Sequence, residues 1–302
     1  MRWPTQLGWL LFLGIVLLVF VGRVSIMSVV LVSPIIAAEK EEHVFAETDG
    51  VKLALDLYVP SQRSSNVLLV YVHGGAWSRG SKDDAKVHGL VDRGYALASV
   101  DYRLTTKAKF PANVHDIKAA IRFLRANQAD LGIDADQIVI LGSSAGGHLA
   151  ALVGVSNGVK ALEGTVGKNL DQSSDVQGIV SFYGASNLET ILRQSTPHGL
   201  SVRIPALELL LGDVPEKVPD MARLASPVAH VDKNDPPLLL IHGDQDPQMP
   251  VNQSLELQAV YELHGRSVKF INVHGGAHGG SEFYDDAMLD QVEAFLSAIE
   301  GE

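Results

Sequence analysis

The sequence predicts an α/β fold with a mostly parallel central sheet covered by helices on both faces. Three observations carry this. From residue 67 onward, short and nearly continuous apolar runs alternate with longer segments of helical periodicity, the rhythm of strand–helix–strand units. The apolar runs show little polar alternation, as strands buried on both faces require. Chemically reactive residues stand just after several of these runs, where open parallel sheets bind ligands.

The elements follow in order. Residues 43–60 alternate apolar and polar, which predicts a half-exposed antiparallel hairpin turning at Asp49-Gly50. Strands are expected at 67–73, 95–101, 137–141, 176–183, 237–242 and 268–273. Helices are expected at 82–93, 112–127, 145–155, 252–264 and 284–299. Residues 185–235 break the rhythm and carry Pro197, Pro205, Pro215, Pro219 and Pro227. A connection of this length is expected to have structure of its own, here a small helical insertion over the site.

The pentapeptide Gly142-Ser143-Ser144-Ala145-Gly146 lies between the expected strand 137–141 and the expected helix 145–155. That context gives the G-x-S-x-G pattern its meaning: flanking glycines permit a sharp turn that lifts a serine hydroxyl clear of the sheet. The nucleophile is therefore expected at Ser144. The Ala145 amide opens the helix and points at developing negative charge.

A serine hydroxyl needs a base, and the base needs an orienting acid. Residues 238–247 run from an apolar strand into a turn holding Asp244 and Asp246. Residues 270–279 run from another strand into a loop holding His274 and His278. Asp246 is preferred over Asp244, and His278 over His274. A third segment, His73-Gly74-Gly75-Ala76-Trp77, follows the strand at 67–73, and its glycines allow backbone N–H groups to approach an oxyanion. Trp77 either lines the substrate pocket or packs beneath this loop. His148 is expected to be structural, and Asp101, Tyr102 and Arg103 to brace the site.

These motifs resemble the hormone-sensitive-lipase-like branch of the α/β-hydrolase esterases. The likeness runs from His73-Gly74-Gly75-Ala76-Trp77 through Asp101-Tyr102-Arg103, Phe110-Pro111-Ala112, the elbow, the segment 242–250 and the glycine-rich loop 275–280. Asn169-Leu170-Asp171-Gln172-Ser173-Ser174 looks most like secreted acetyl and feruloyl esterases that deacylate plant polysaccharides. The resemblance implies an α/β-hydrolase fold, an acid at Asp246, a base at His278, and oxyanion donors at Gly74, Gly75 and Ala145. It implies a small ester or an oligosaccharide ester as substrate. The triad mechanism requires no cofactor, and no metal is expected because the His274/His278 pair shows no third ligand in the sequence. Ala76 replaces a frequent third glycine, and His274 is an added histidine. A serine peptidase or amidase on the same scaffold is the alternative, because the residues of a triad do not separate ester from amide. A binding module without activity is the alternative from another class.

Bulk properties narrow the field. The 302 residues are 46% hydrophobic and carry a formal net charge of −11, an acidic balance that argues against nucleic acid as partner. There is no cysteine, so a thiol nucleophile, a thiolate metal site and disulfides are excluded. Residues 1–38 start with Arg2, continue through apolar runs at 7–21 and 24–38, and give way to Glu39-Lys40-Glu41-Glu42. This pattern predicts an export signal cleaved near Ala38, with an uncleaved membrane anchor as the alternative. The remaining residues, 39–302, are expected to form one catalytic domain.

Overall fold

The computed structural model describes residues 39–301; the expected signal or anchor at 1–38 lies outside the described residues. The described chain forms an eight-stranded sheet in the order β1-β2-β4-β3-β5-β6-β7-β8. The strands are β1 (Glu39–Thr48), β2 (Val51–Val59), β3 (Leu68–Val72), β4 (Ala96–Val100), β5 (Ile138–Ser143), β6 (Gly178–Phe182), β7 (Leu238–Gly243) and β8 (Val268–Val273). β1 pairs antiparallel with β2, and β2 with β4; every later pairing is parallel. The helices are α1 (Gly89–Asp92), α2 (Ala112–Ala126), α3 (Ala145–Gly154), α4 (Lys160–Glu163), α5 (Ile191–Gln194), α6 (Pro197–Leu211), α7 (Pro219–Leu224), α8 (Asn252–Leu263) and α9 (Asp286–Glu300). This is the α/β-hydrolase fold.

Alternation along the strands divides the core into two layers. Leu68, Val70, Val72, Ile138 and Ile140 face a layer containing Ile117 and Ile121 of α2, Leu149 of α3 and Leu257 of α8. Leu69, Tyr71, Val139 and Leu141 face the other, with Leu90 of α1 and Val292 and Leu296 of α9. Both faces of the central strands are covered, which explains their unbroken apolar character.

Two expectations are corrected. The hairpin strand β2 is not half-exposed: residues 53–58 are all buried. Its polar position Asp56 is fully buried and binds Lys82 Nζ at 2.8 Å and Lys40 Nζ at 3.0 Å. The alternation in the sequence thus reflects a buried ion pair rather than a wet face. The helix expected at 82–93 is only α1, Gly89–Asp92. Upstream, backbone donors are captured elsewhere: Lys82 N by Asp101 Oδ1 at 2.8 Å, and Asp83 N by Ser81 Oγ at 3.3 Å. These competing bonds convert a helix-like pattern into a loop.

The segment 185–235 folds into α5, α6, α7 and two short 3₁₀ turns. Pro197, Pro215, Pro219 and Pro227 each stand at the start of a helical turn, where a missing N–H costs nothing. Pro205 lies inside α6. Thr196 caps α6 by accepting from Gly199 N at 3.0 Å.

Candidate active site

Ser144 sits between β5 and α3 with φ 55° and ψ −117°. A non-glycine residue in this region is strained by about 1–3 kcal/mol, and the surroundings must hold it there. Ser144 N donates to Phe182 O at 2.9 Å, and His148 N donates to Ser144 O at 3.0 Å. The flanking glycines are forced by contact. A Cβ on Gly142 would lie 2.2 Å from Gly146 O, and one on Gly146 would lie 2.0 Å from Val72 O.

The loops after β7 and β8 bring the other partners to the same end of the sheet. Ser144 Oγ is 2.8 Å from His278 Nε2, and His278 Nδ1 is 2.6 Å from Asp246 Oδ2. Asp246 Oδ1 accepts from the amides of Gln248 and Met249, each at 2.8 Å, and Oδ2 lies 3.3 Å from His242 Nε2. Burial opposes its charge, but hydrogen bonds from His242 and His278 outweigh burial and hold the carboxyl well below the usual range. An ionised Asp246 can only accept. His278 Nδ1 must therefore donate to it, which leaves Nε2 free to accept from the Ser144 hydroxyl.

The competing pair lies apart. His274 is largely exposed and contacts Asp244, Nδ1 to Oδ2, at 3.0 Å. Asp244 also accepts from Gly275 N at 2.8 Å. The two pairs do not mix: Asp244 holds His274, and Asp246 holds His278.

The glycine loop borders Ser144. A Cβ on Gly74 would lie 3.5 Å from Ser144 Cβ and 2.9 Å from Ser143 O. Gly75 takes φ 108°, open to glycine, and Ala76 and Trp77 follow at 51° and 59°. Among the described residues, the amides of Gly74, Gly75 and Ala145 donate to no protein acceptor. Ala145 opens α3, where such unpaired donors are expected. A cavity of about 190 Å³ is lined by Gly74, Gly75, Ser144 and His278, and by Val202 and Arg203 of α6 and Gln248. Asp84 and Lys86, from the loop that replaces the expected helix, lie on the same wall.

Trp77 does not line this cavity. It is fully buried in the core, and its Nε1 donates to His148 Nδ1 at 3.1 Å. The packing alternative is the one observed, and the substrate-binding expectation for Trp77 is corrected. His148 in turn lies 2.7 Å from Ala225 O through Nε2, which fixes it as the neutral Nε2–H tautomer. Burial pushes it down to about 4.

This carries a stability consequence. The unfolded chain binds a proton at His148 near pH 6.5, whereas the folded chain resists it until about 4. The contribution is therefore intact above pH 6.5 and is lost as pH falls toward 4, by up to roughly 3 kcal/mol at about 1.4 kcal/mol per unit. Burial shifts His73 and His230 in the same direction. Chemical denaturation between pH 4 and 7 should show stability falling on acidification. His148→Gln, which keeps a donor and an acceptor but cannot titrate, should flatten that slope. An unchanged slope would count against this linkage.

Three residues at the site had no role in the sequence reading. His242, fully buried, supports Asp246; its Nδ1 accepts from Ser254 Oγ at 2.8 Å, leaving Nε2–H for Met249 O and Asp246. Its signal was its place at the end of β7. Tyr183 packs edge-on against the His278 ring at 4.9 Å and lines the cavity; its signal was its position just past β6. Arg203 had no sequence signal: it is one of two charged residues, with Glu208, in a leucine-rich helix.

The BD-FAE family model matches residues 55–261, a span that contains Gly74, Gly75, Ser144 and Asp246 and ends before His278. Esterase LipC of Mycobacterium tuberculosis is 32% identical over 216 residues, 70% of this chain and 52% of that protein. The chain spans about half the length of the curated relatives it matches. A truncated carbohydrate esterase from gut microbiota superposes with a TM-score of 0.79 at 31% identity, covering 89% of this chain and 99% of that one. The propionate-bound esterase Est2 of Thermogutta terrifontis superposes with a TM-score of 0.69 at 26% identity, covering 88% and 96%.

Proposed function

Because the chain belongs to the BD-FAE family, on an α/β-hydrolase fold of the hormone-sensitive-lipase-like branch, we propose that it is a serine esterase cleaving short acyl esters. The observation that carries the reading is the continuous relay Ser144–His278–Asp246, at 2.8 and 2.6 Å, opening on the glycine loop. In this mechanism His278 Nε2 takes the hydroxyl proton as Ser144 Oγ bonds to the ester carbonyl carbon. Asp246 stabilises the imidazolium that forms, and the amides of Gly74, Gly75 and Ala145 receive the oxyanion. The carbon–oxygen bond to the alcohol then breaks, and the alcohol leaves with the proton from His278. Water, deprotonated by His278, attacks the acyl-enzyme. The proton returns to Ser144 as the acid departs.

The cavity lining is largely polar, with Arg79, Asp84, Lys86, Arg203 and Gln248 around Ser144, and this favours acetyl to butyryl groups. Each methylene buried in an apolar channel would contribute about 0.8 kcal/mol, and a polar lining does not supply that gain. Likeness to a protein described as a carbohydrate esterase, and the stretch 169–174, support acetylated or feruloylated polysaccharide fragments as substrates. Initial rates over esters of two to twelve carbons, with acetate release from acetylxylan in parallel, test the reading. kcat/KM should peak at two to four carbons and decline beyond about eight. Specificity rising to long chains would make this a lipase, and preference for peptide amides would make it an amidase. Ester hydrolysis without acetate release from acetylxylan would remove the polysaccharide assignment.

A further inference from the structure

Arg203 is a buried cation without a full set of partners on the wall of the active-site cavity. It belongs to α6, is 1% exposed, and lines the cavity beside Ser144 and His278. Its Nε donates to Gln248 O at 3.2 Å, while Nη1 has no hydrogen-bond partner among the described residues. A buried guanidinium with an idle donor is costly, because the desolvated charge is not repaid by bonds. Anchoring the turn at 248 does not explain it, since one bond to a carbonyl uses one of five donors.

Asp246 supplies compensating charge that partly offsets the effect of burial on Arg203. Its oxygens are already engaged, by Gln248 N and Met249 N on Oδ1 and by His278 and His242 on Oδ2. It has no free acceptor to offer. The remaining charges on the wall do not redress the balance: Lys86 is paired with Asp84 at 3.0 Å, and Arg79 adds a second cation at the rim. Among the described residues, Arg203 and Arg79 have no acidic partner, so a chain of net charge −11 places positive charge at one cavity.

We propose that Arg203 is a specificity-determining residue that binds a carboxylate on the substrate, within a few bonds of the ester that Ser144 attacks. The substrate class is therefore an ester bearing an anionic group, on either its acyl or its alcohol portion. This deepens the esterase reading and rests on it for the position of the scissile bond. A guanidinium suits this role because its planar fork matches a carboxylate, and a water-excluded wall strengthens the bond.

Two matched pairs test it. Monoethyl succinate and ethyl succinamate place a charged or neutral group on the acyl side; O-acetylglycolate and O-acetylglycolamide place it on the alcohol side. Wild type should favour the charged member of one pair, and which pair identifies the side. Arg203→Gln should lower that charged-to-neutral ratio of kcat/KM by about 10- to 100-fold, the worth of a charge-assisted hydrogen bond. Arg203→Lys should restore part of the ratio. Calorimetry on Ser144→Ala protein gives a second readout, with binding of the favoured ester lost on adding Arg203→Gln. Hydrolysis of both pairs with no charge preference, and a ratio unmoved in Arg203→Gln, would overturn the proposal and leave the esterase standing. No hydrolysis of any ester, short neutral ones included, would overturn both.

Discussion

Ser144→Ala should lower kcat by about 10⁴-fold or more while leaving the protein folded, as measured by steady-state hydrolysis of an acetyl ester and by thermal unfolding. The size follows from the relay. Without Oγ, His278 has no proton to take and no nucleophile to activate, and members of such a unit fail together. The fold should survive because the side chain of Ser144 hydrogen-bonds only to His278 and caps no helix. Alanine at φ 55° inherits the backbone strain already present rather than adding to it. Ser143→Ala should retain substantial activity, since its hydroxyl is turned to Tyr71 OH at 3.0 Å. Activity of Ser144→Ala within about tenfold of wild type would remove Ser144 from the nucleophile's role.

His278→Ala should abolish turnover, and Asp246→Asn should lower kcat by about 10⁴-fold. The asparagine keeps an acceptor for the amides of Gln248 and Met249 but turns an NH₂ toward His278. That forces the ring proton onto Nε2, which then faces Ser144 as a donor and cannot accept its proton. The exposed pair supplies the control. His274→Ala and Asp244→Asn disturb a surface contact and one loop amide, and activity should stay within about threefold. Reversed severity in the two pairs would move the acid and base to Asp244 and His274.

The parts of this molecule that were legible in its sequence share a physical cause. The central strands are buried on both faces, so their apolar runs stand out. The turns after them need glycine for close backbone approach, as Gly142 and Gly146 do, so the elbow was marked by residue type alone. Asp246 and His278 were preferred over Asp244 and His274 through the resemblance of their motifs to those of the family, and the second pair lies at the surface.

What was hidden depends on partners distant in the chain. Asp56 resembles a solvent-facing position until Lys82, 26 residues away, closes over it. The same lysine's amide is drawn to Asp101, which undoes the helix expected at 82–93. The direction of Trp77 is set by His148, 71 residues further on. Local periodicity contains none of these pairings. Arg203 is the extreme case: its meaning comes wholly from the cavity into which α6 is folded.

In the proposed mechanism Ser144 is a nucleophile activated by His278. Mass spectrometry of the protein treated with a fluorophosphonate tests it most directly, because the reagent phosphonylates a serine only where a base activates it. One stoichiometric adduct is expected, on the peptide carrying Ser144, absent from Ser144→Ala and strongly slowed in His278→Ala. No adduct on folded wild-type protein, or an adduct on another serine that persists in Ser144→Ala, would contradict it.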